Sequence, residues 1–268
     1  MRKTKIDWCD YEHNIVIGCC RGCAYCYARK MNDRFHWVKD FAVPELRDGC
    51  LHRIMPKEPA SIFADSISDP EYWTAVWLDI FKGRILDSSP NARFILLTKS
   101  PKTVNSVREI MAKGGADLTQ PGAFSHDQRL FIGYSCGDHS LASKAIDECP
   151  LADRDADYDF VRPGVPLNAD FLSIEPLMGD LGRDSLFQLM LSNMPKLRLV
   201  IVGAETGNRK GKVECKKEWV DGIVEICDRL SKSQKVAVFM KSSLKDVMGP
   251  DIRQDRLPWP CSKQKEAE

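Results

Sequence analysis

The sequence predicts an α/β protein built as a full or partial TIM-type (β/α) barrel. Three observations carry this. Short apolar runs alternate with amphipathic stretches about seven times along the chain. The apolar runs are continuous rather than alternating, as in strands buried on both faces of a parallel sheet. No tight hairpin signal joins one run to the next, so right-handed crossovers are expected. A doubly wound open sheet is the alternative, and in either architecture ligands bind at the C-terminal ends of the strands.

The elements follow in order. Asn14-Ile-Val-Ile-Gly18 is a short apolar run ending in glycine, read as the first strand, and Tyr27 to Phe35 carries good helix formers. Residues 36–60 hold three proline-punctuated turns and read as loop. Ser61-Ile-Phe-Ala-Asp65 is the second strand; Asp69-Pro70 then reads as N-cap and N1 of a helix whose apolar face is Trp73, Val76, Trp77, Ile80 and Phe81. Arg93 to Leu97 is the third strand, with Ser100-Pro101 opening a helix on Val104, Val107, Ile110 and Met111. Leu130 to Ser135 is the fourth, followed by a helix near 139–148. Asp170 to Glu175, Arg198 to Gly203 and Lys235 to Met240 complete the strands, with helices over Leu186–Met194 and Trp219–Leu230 between them. The whole reads as one domain over 1–268, with loop insertions near 36–60, 116–129 and 150–168 and a frayed tail after 258.

The 39 basic and 38 acidic residues leave a net charge of +1, which does not demand a polyanionic partner. The start Met-Arg-Lys-Thr-Lys leads into no apolar signal segment, and no run approaches the roughly 18 apolar residues of a membrane span. A cytoplasmic location is expected, where thiols stay reduced and clustered cysteines point to metal rather than disulfides. There are 11 cysteines. Cys50, Cys136, Cys149, Cys215, Cys227 and Cys261 are scattered and read as small buried residues or bystanders.

Cys19, Cys23 and Cys26 are different. They have the spacing Cys-x3-Cys-x2-Cys, with Tyr25 before the third, in a loop that leads into a helix N-terminus. Three thiolates so close suit an iron–sulfur cluster or zinc. Three ligands leave one iron of a cubane cluster open to a small molecule. Cys20, Cys23 and Cys26 also open a ferredoxin-like run, but Lys30 and Met31 do not continue it. Zinc needs a fourth ligand, which Cys9, Cys20 or Cys50 would supply in a zinc-stabilised, non-catalytic binding module.

The predicted strand ends carry a short polar list: Asp65, Ser66, Ser68 and Asp69; Thr98 and Lys99; Ser135; Glu175; Glu205; Lys241 and Ser242. Hydroxyls and acids there suit ribose hydroxyls or an ammonium group, and Lys99 or Lys241 suits a carboxylate. Taken singly, each is equally a cap or a solvated turn. Arg209, Lys210, Lys212, Lys216 and Lys217 form a basic run, read as a solvated loop or as an approach to nucleic-acid phosphates.

The cysteine spacing resembles the signature of radical S-adenosylmethionine (SAM) enzymes. The order of Gly18-Cys-Cys-Arg-Gly-Cys-Ala-Tyr-Cys-Tyr-Ala28, Ser66-Ile-Ser-Asp69, Leu97-Thr-Lys-Ser-Pro101, Gly133-Tyr-Ser135, Ser173-Ile-Glu-Pro176 and Val202-Gly-Ala-Glu-Thr-Gly207 narrows this. It resembles the phage- and prophage-associated three-Cys-motif family, which is radical-SAM-like. His13 and Ile15 stand where that pattern would have Trp and Pro, and Ala204 where it would have Gly. The resemblance implies a barrel of the radical SAM kind, with Cys19, Cys23 and Cys26 holding one [4Fe–4S] cluster. Tyr25 would lie near adenine, the Asp65–Ser68 segment near the methionine amino group, Ser135 near the ribose, and Glu175 and Glu205 along the cavity. It also implies reductive cleavage of SAM to a 5′-deoxyadenosyl radical that abstracts hydrogen, with a flavodoxin- or ferredoxin-like electron donor. Phage association suggests a nucleic acid or nucleotide as substrate.

Overall fold

The computed structural model describes residues 1–113, 118–119, 128–150, 153–154, 161–162, 164–231 and 234–263. The chain gathers into two compact units, one of Met1–Thr98, Ser106–Ile132 and Leu257–Glu268, the other of Lys99–Asn105 and Gly133–Arg256.

The first unit opens with β1 (Arg2–Lys3) antiparallel to β2 (Tyr11–Glu12). A two-stranded antiparallel ribbon follows, β3 (Val16–Ile17) against β4 (Glu45–Leu46), with helix α1 (Tyr27–Phe35) between them in sequence and α2 (Asp48–Leu51) after them. Then come β5 (Ala60–Phe63), α3 (Ala75–Leu86), β6 (Ala92–Thr98), α4 (Pro101–Ala112) and β7 (Leu130–Ser135). The parallel ladder runs β2-β5-β6-β7, and β5 is buried along its whole length. Trp73, Phe81 and Phe94 pack edge to face at 5.7 and 5.8 Å in this unit's core.

The second unit takes the end of β7, then α5 (His139–Glu148), the pair β8 (Asp153–Arg154) and β9 (Val161–Arg162), β10 (Phe171–Ile174), α6 (Ser185–Ser192), β11 (Leu199–Val202), α7 (Lys217–Leu230), β12 (Ala237–Met240) and α8 (Lys245–Met248). Its ladder β7-β10-β11-β12 is parallel throughout, and β7, β10 and β11 are wholly buried. Within each unit the parallel strands are added in sequence order, without the reversal that defines a doubly wound sheet. The expected α/β fold of consecutive parallel strands is therefore present, wound as in a (β/α) barrel.

Several local expectations are corrected. Val16–Ile17 is not the first strand of the parallel sheet; it pairs antiparallel with β4, and the two-residue β2 takes that place. The loop expected over 36–60 contains β4 and α2. Asp69 and Pro70 start only a 3₁₀ turn, Pro70–Tyr72, with Asp69 accepting from the Glu71 amide. The helix proper begins after Thr74, whose hydroxyl caps the Trp77 amide, and its buried face is Leu78, Phe81 and Ile85, with Val76 65% exposed. The tail after 258 is not frayed as far as Lys263. Trp259 is buried against Trp8 and Phe131 and donates to the Trp8 carbonyl at 2.8 Å, and the Ser262 amide and hydroxyl both bond Asp10. The insertion expected near 116–129 falls largely outside the described residues, while the one near 150–168 holds the antiparallel pair β8 and β9, with 151–152, 155–160 and 163 outside the described residues. No helix among the described residues is long and apolar enough to cross a membrane.

Candidate functional site

In the first unit the cysteine loop hangs from Gly18. The Gly18 amide donates to the Ile67 carbonyl at 3.1 Å, and Gly18 bridges Ser68 in parallel. Its φ of +105° is open to glycine, and a Cβ there would stand 2.9 Å from the Val43 carbonyl oxygen. Glycine is thus the residue that lets the loop pass between the end of β5 and the segment before β4. The Cys19 amide continues the link, donating to the Phe41 carbonyl at 2.7 Å.

The loop closes on α1. Cys26 is its N-cap, with Sγ accepting from the Arg29 amide at 3.4 Å, and the Arg29 guanidinium returns to the Cys19 carbonyl at 3.1 Å. Cys19 and Cys26 pack against the cluster of Ile17, Ala28, Phe41 and Ile67. Cys19, Cys23, Tyr25 and Cys26 are all half-buried. Burial pushes the Cys19 thiol up to about 11. The Arg21 backbone opposes this, while Asp69 and the neighbouring thiols of Cys23 and Cys26 add to it. Among the described residues, no three His, Cys, Asp or Glu side chains stand together as a ready metal-ligand group. The fit to a cluster rests on donor chemistry: three thiols on one short loop, crowded enough to repel each other as thiolates, at the positive end of a nine-residue helix. Deprotonation, which burial and repulsion oppose, is what a cationic centre would favour.

The candidate fourth ligands differ in their settings. Cys9 is fully buried, its thiol pushed far up by burial, and the charges acting on it come from Lys263, Glu12, Cys261 and Asp10. Cys20 is exposed and its thiol donates to the Ala42 carbonyl at 3.0 Å. Of the scattered cysteines, Cys50, Cys136, Cys149 and Cys227 are buried, and Cys215 and Cys261 half-buried.

The polar segment after β5 lies against this loop. Asp65 is buried, and both its carboxyl oxygens stand 3.1 Å from the Leu97 amide, so the side chain takes the hydrogen bond the ended strand no longer accepts. Burial, then the charge of Asp69, holds its pKa well above the carboxylate range, against the bonds from the Leu97 and Asp65 amides. Ser66 accepts at its hydroxyl from Asn14 (2.8 Å) and at its carbonyl from the Tyr27 hydroxyl (2.5 Å). Ser68 Oγ accepts from the Trp73 indole at 3.2 Å. Asp69 accepts from the Thr98 hydroxyl at 2.6 Å and faces Arg21 at 3.5 Å; Arg21 also pairs with Glu71. Asn14, Arg21 and Tyr27 therefore belong to the site, although the sequence reading passed over them. Arg21 stood between the cysteines as a visible signal, while Asn14 and Tyr27 are recognised only by their partners.

The second unit groups its candidates in pairs at its strand ends. Lys99 Nζ donates to the buried Ser135 hydroxyl at 2.5 Å. Lys241 Nζ pairs with Glu175 at 2.5 Å, and both flank Gly203, where a Cβ would stand 3.0 Å from the Lys241 chain and 3.3 Å from that of Glu175. Glu205 receives a two-pronged bond from Arg209 at 2.6 and 2.8 Å and a third from the Val213 amide at 3.1 Å. The Arg209 bonds lower the Glu205 pKa against burial. The basic run is thus partly committed: Arg209 to Glu205, Lys217 to Asp221, and Lys216 over the Trp219 ring at 5.5 Å.

No curated protein and no solved structure matches the chain significantly. A family model does, over residues 3–243, and the chain belongs to that family, described as a protein of unknown function (DUF5131).

Proposed function

We propose that the protein is an enzyme of the radical SAM type, with Cys19, Cys23 and Cys26 as the ligands of one [4Fe–4S] cluster. One observation carries the reading: three half-buried thiols on a single short loop, anchored by Gly18 and ended by the Cys26 cap of α1. When bound, such a cluster supplies an open iron for the amino and carboxylate groups of SAM and the electron for its reductive cleavage, delivered by a flavodoxin- or ferredoxin-like donor.

The chain's own residues have separate tasks. Arg21, held by Asp69 and Glu71, fixes the loop between the first two cysteines. Arg29 ties the helix back to Cys19. The apolar cluster under Cys19 and Cys26 keeps water from that side of the thiols. Asp65, Ser66 and Ser68 form the segment we assign to the amino group of SAM, and Tyr25 the ring we assign to its adenine. An arriving ammonium would favour the ionised form of Asp65, which burial now opposes. In the second unit Ser135 and Lys99 offer a hydroxyl–ammonium pair, and Glu175 and Glu205 carboxylates already charge-balanced by Lys241 and Arg209; these suit polar small-molecule groups.

Metal content of single variants, loaded with iron and sulfide under argon, tests the ligand assignment. Cys19→Ser, Cys23→Ser and Cys26→Ser should each lose the cluster, while Cys9→Ser and Cys20→Ser keep it. Stoichiometric iron retained by Cys19→Ser, or lost from Cys9→Ser in a folded protein, would reject the assignment.

A further inference from the structure

Helix α1 ends in an unusual display. His36 adopts a left-handed conformation (φ 49°, ψ 48°), the one non-glycine residue at positive φ among the described residues, and its amide caps the Asn32 carbonyl at 2.7 Å. Asn32 is buried, and its side chain clamps Val38 from both sides. Nδ2 donates to the Val38 carbonyl at 3.1 Å, and Oδ1 accepts from the Val38 amide at 2.9 Å. Val38 in turn packs on the cluster beneath Cys19 and Cys26. The turn is therefore fixed at both ends.

What it holds out to solvent is apolar. Phe35 is 49% exposed and Trp37 41%, with ring centroids 6.1 Å apart and planes inclined by 15°. The Arg34 guanidinium lies 5.1 Å from the Phe35 centroid, and Met31 is exposed one turn back. Lys30 and Lys39 are exposed on either side in sequence. From Arg29 to Asp40 there are four basic side chains against two acidic. One of the acids, Asp40, accepts from the Ala42 amide at 2.8 Å, and one of the bases, Arg29, is turned to the Cys19 carbonyl at 3.1 Å. The left-handed His36 is the C-cap that ends α1, and the clamp on Val38 sets the direction in which the two rings leave the helix.

We propose that this turn is a docking surface for single-stranded nucleic acid. Phe35 is stacked with Trp37 and covered by Arg34, so the exposed Trp37 indole extends a ready stack that unpaired bases continue without regard to sequence, and Arg34, Lys30 and Lys39 supply the charge that meets the phosphates. A rigid, pre-set platform avoids the ordering cost of binding. The inference does not depend on the cysteine assignment, because the surface needs no cluster.

The test is fluorescence anisotropy of a labelled oligo(dT) of about 15 nucleotides, titrated with the full chain before and after iron loading. Wild type should bind, and binding should weaken steeply between about 50 and 200 mM salt. Phe35→Ala/Trp37→Ala should weaken binding about tenfold or more for each stacked base lost, in a protein whose melting curve still shows one cooperative transition above the assay temperature. Trp37→Phe should restore most of the affinity, and Lys30→Gln/Lys39→Gln should flatten the salt dependence. Equal affinity of wild type and the double alanine variant would overturn the proposal, as would no binding at low salt. A wild-type dimer in sedimentation that the double variant dissolves would overturn it too, assigning the rings to a second copy of the chain. None of these results touches the cluster assignment, which is read from metal content.

Discussion

Asp65→Asn probes the most buried acid of the site. Asp65 is buried; its oxygens meet the Leu97 amide, and burial together with the charge of Asp69 holds its pKa well above that of the unfolded chain. The folded state therefore keeps a proton that the unfolded state releases. Stability that is fully present below the unfolded value of about 3.9 must fall as pH rises towards the folded value, by at most about 1.4 kcal/mol per pH unit. Asparagine keeps an oxygen for the Leu97 amide and removes the titration. Urea unfolding of wild type and Asp65→Asn should show their stability difference moving in the variant's favour from pH 4 to pH 7. A difference that is flat with pH, or that moves against the variant, would show that the carboxylate is ionised in the fold and refute the reasoning.

Gly18→Ala should destabilise by about 1–3 kcal/mol through its left-handed φ and the approach of the Val43 carbonyl, and should impair iron loading, both read from melting curves and metal content of the same preparation. Trp259→Ala should cost about 3–5 kcal/mol in urea unfolding, because the indole fills a site between Trp8 and Phe131 and bonds the Trp8 carbonyl. Burial raises the Asp10 pKa, but bonds from Ser262 and Ser61 outweigh it and the net pKa is lowered. Its contribution is present at neutral pH and lost as pH falls below about 3.9, so Asp10→Asn should destabilise at pH 7 and much less at pH 3, measured by thermal unfolding.

Where burial writes itself into composition, the elements were legible. The run Leu130–Ser135 is recovered residue for residue, since a continuous apolar strand leaves little ambiguity, and the helix expected near 139–148 is found at His139–Glu148. The cysteine loop and the strand-end polar residues were also visible as a set. What failed has tertiary causes. Tyr11–Glu12 is too short and polar to announce the first parallel strand, and the apolar Val16–Ile17 was drawn instead into a ribbon with β4. Pro70 opened only a single 3₁₀ turn because Thr74 supplies the cap of α3, which shifts the buried face to Leu78, Phe81 and Ile85. One tryptophan in a polar tail gave no hint that Trp259 is core. Partnerships such as Tyr27 with Ser66, or Asn32 with Val38, join residues whose contact has no periodic signature.

The most direct test of the cysteine assignment is an electron paramagnetic resonance spectrum of the anaerobically reconstituted and reduced protein, recorded with and without SAM. The account predicts a [4Fe–4S]⁺ signal that changes when SAM is added, with 5′-deoxyadenosine in the quenched sample. A silent sample holding stoichiometric zinc and no iron would contradict it.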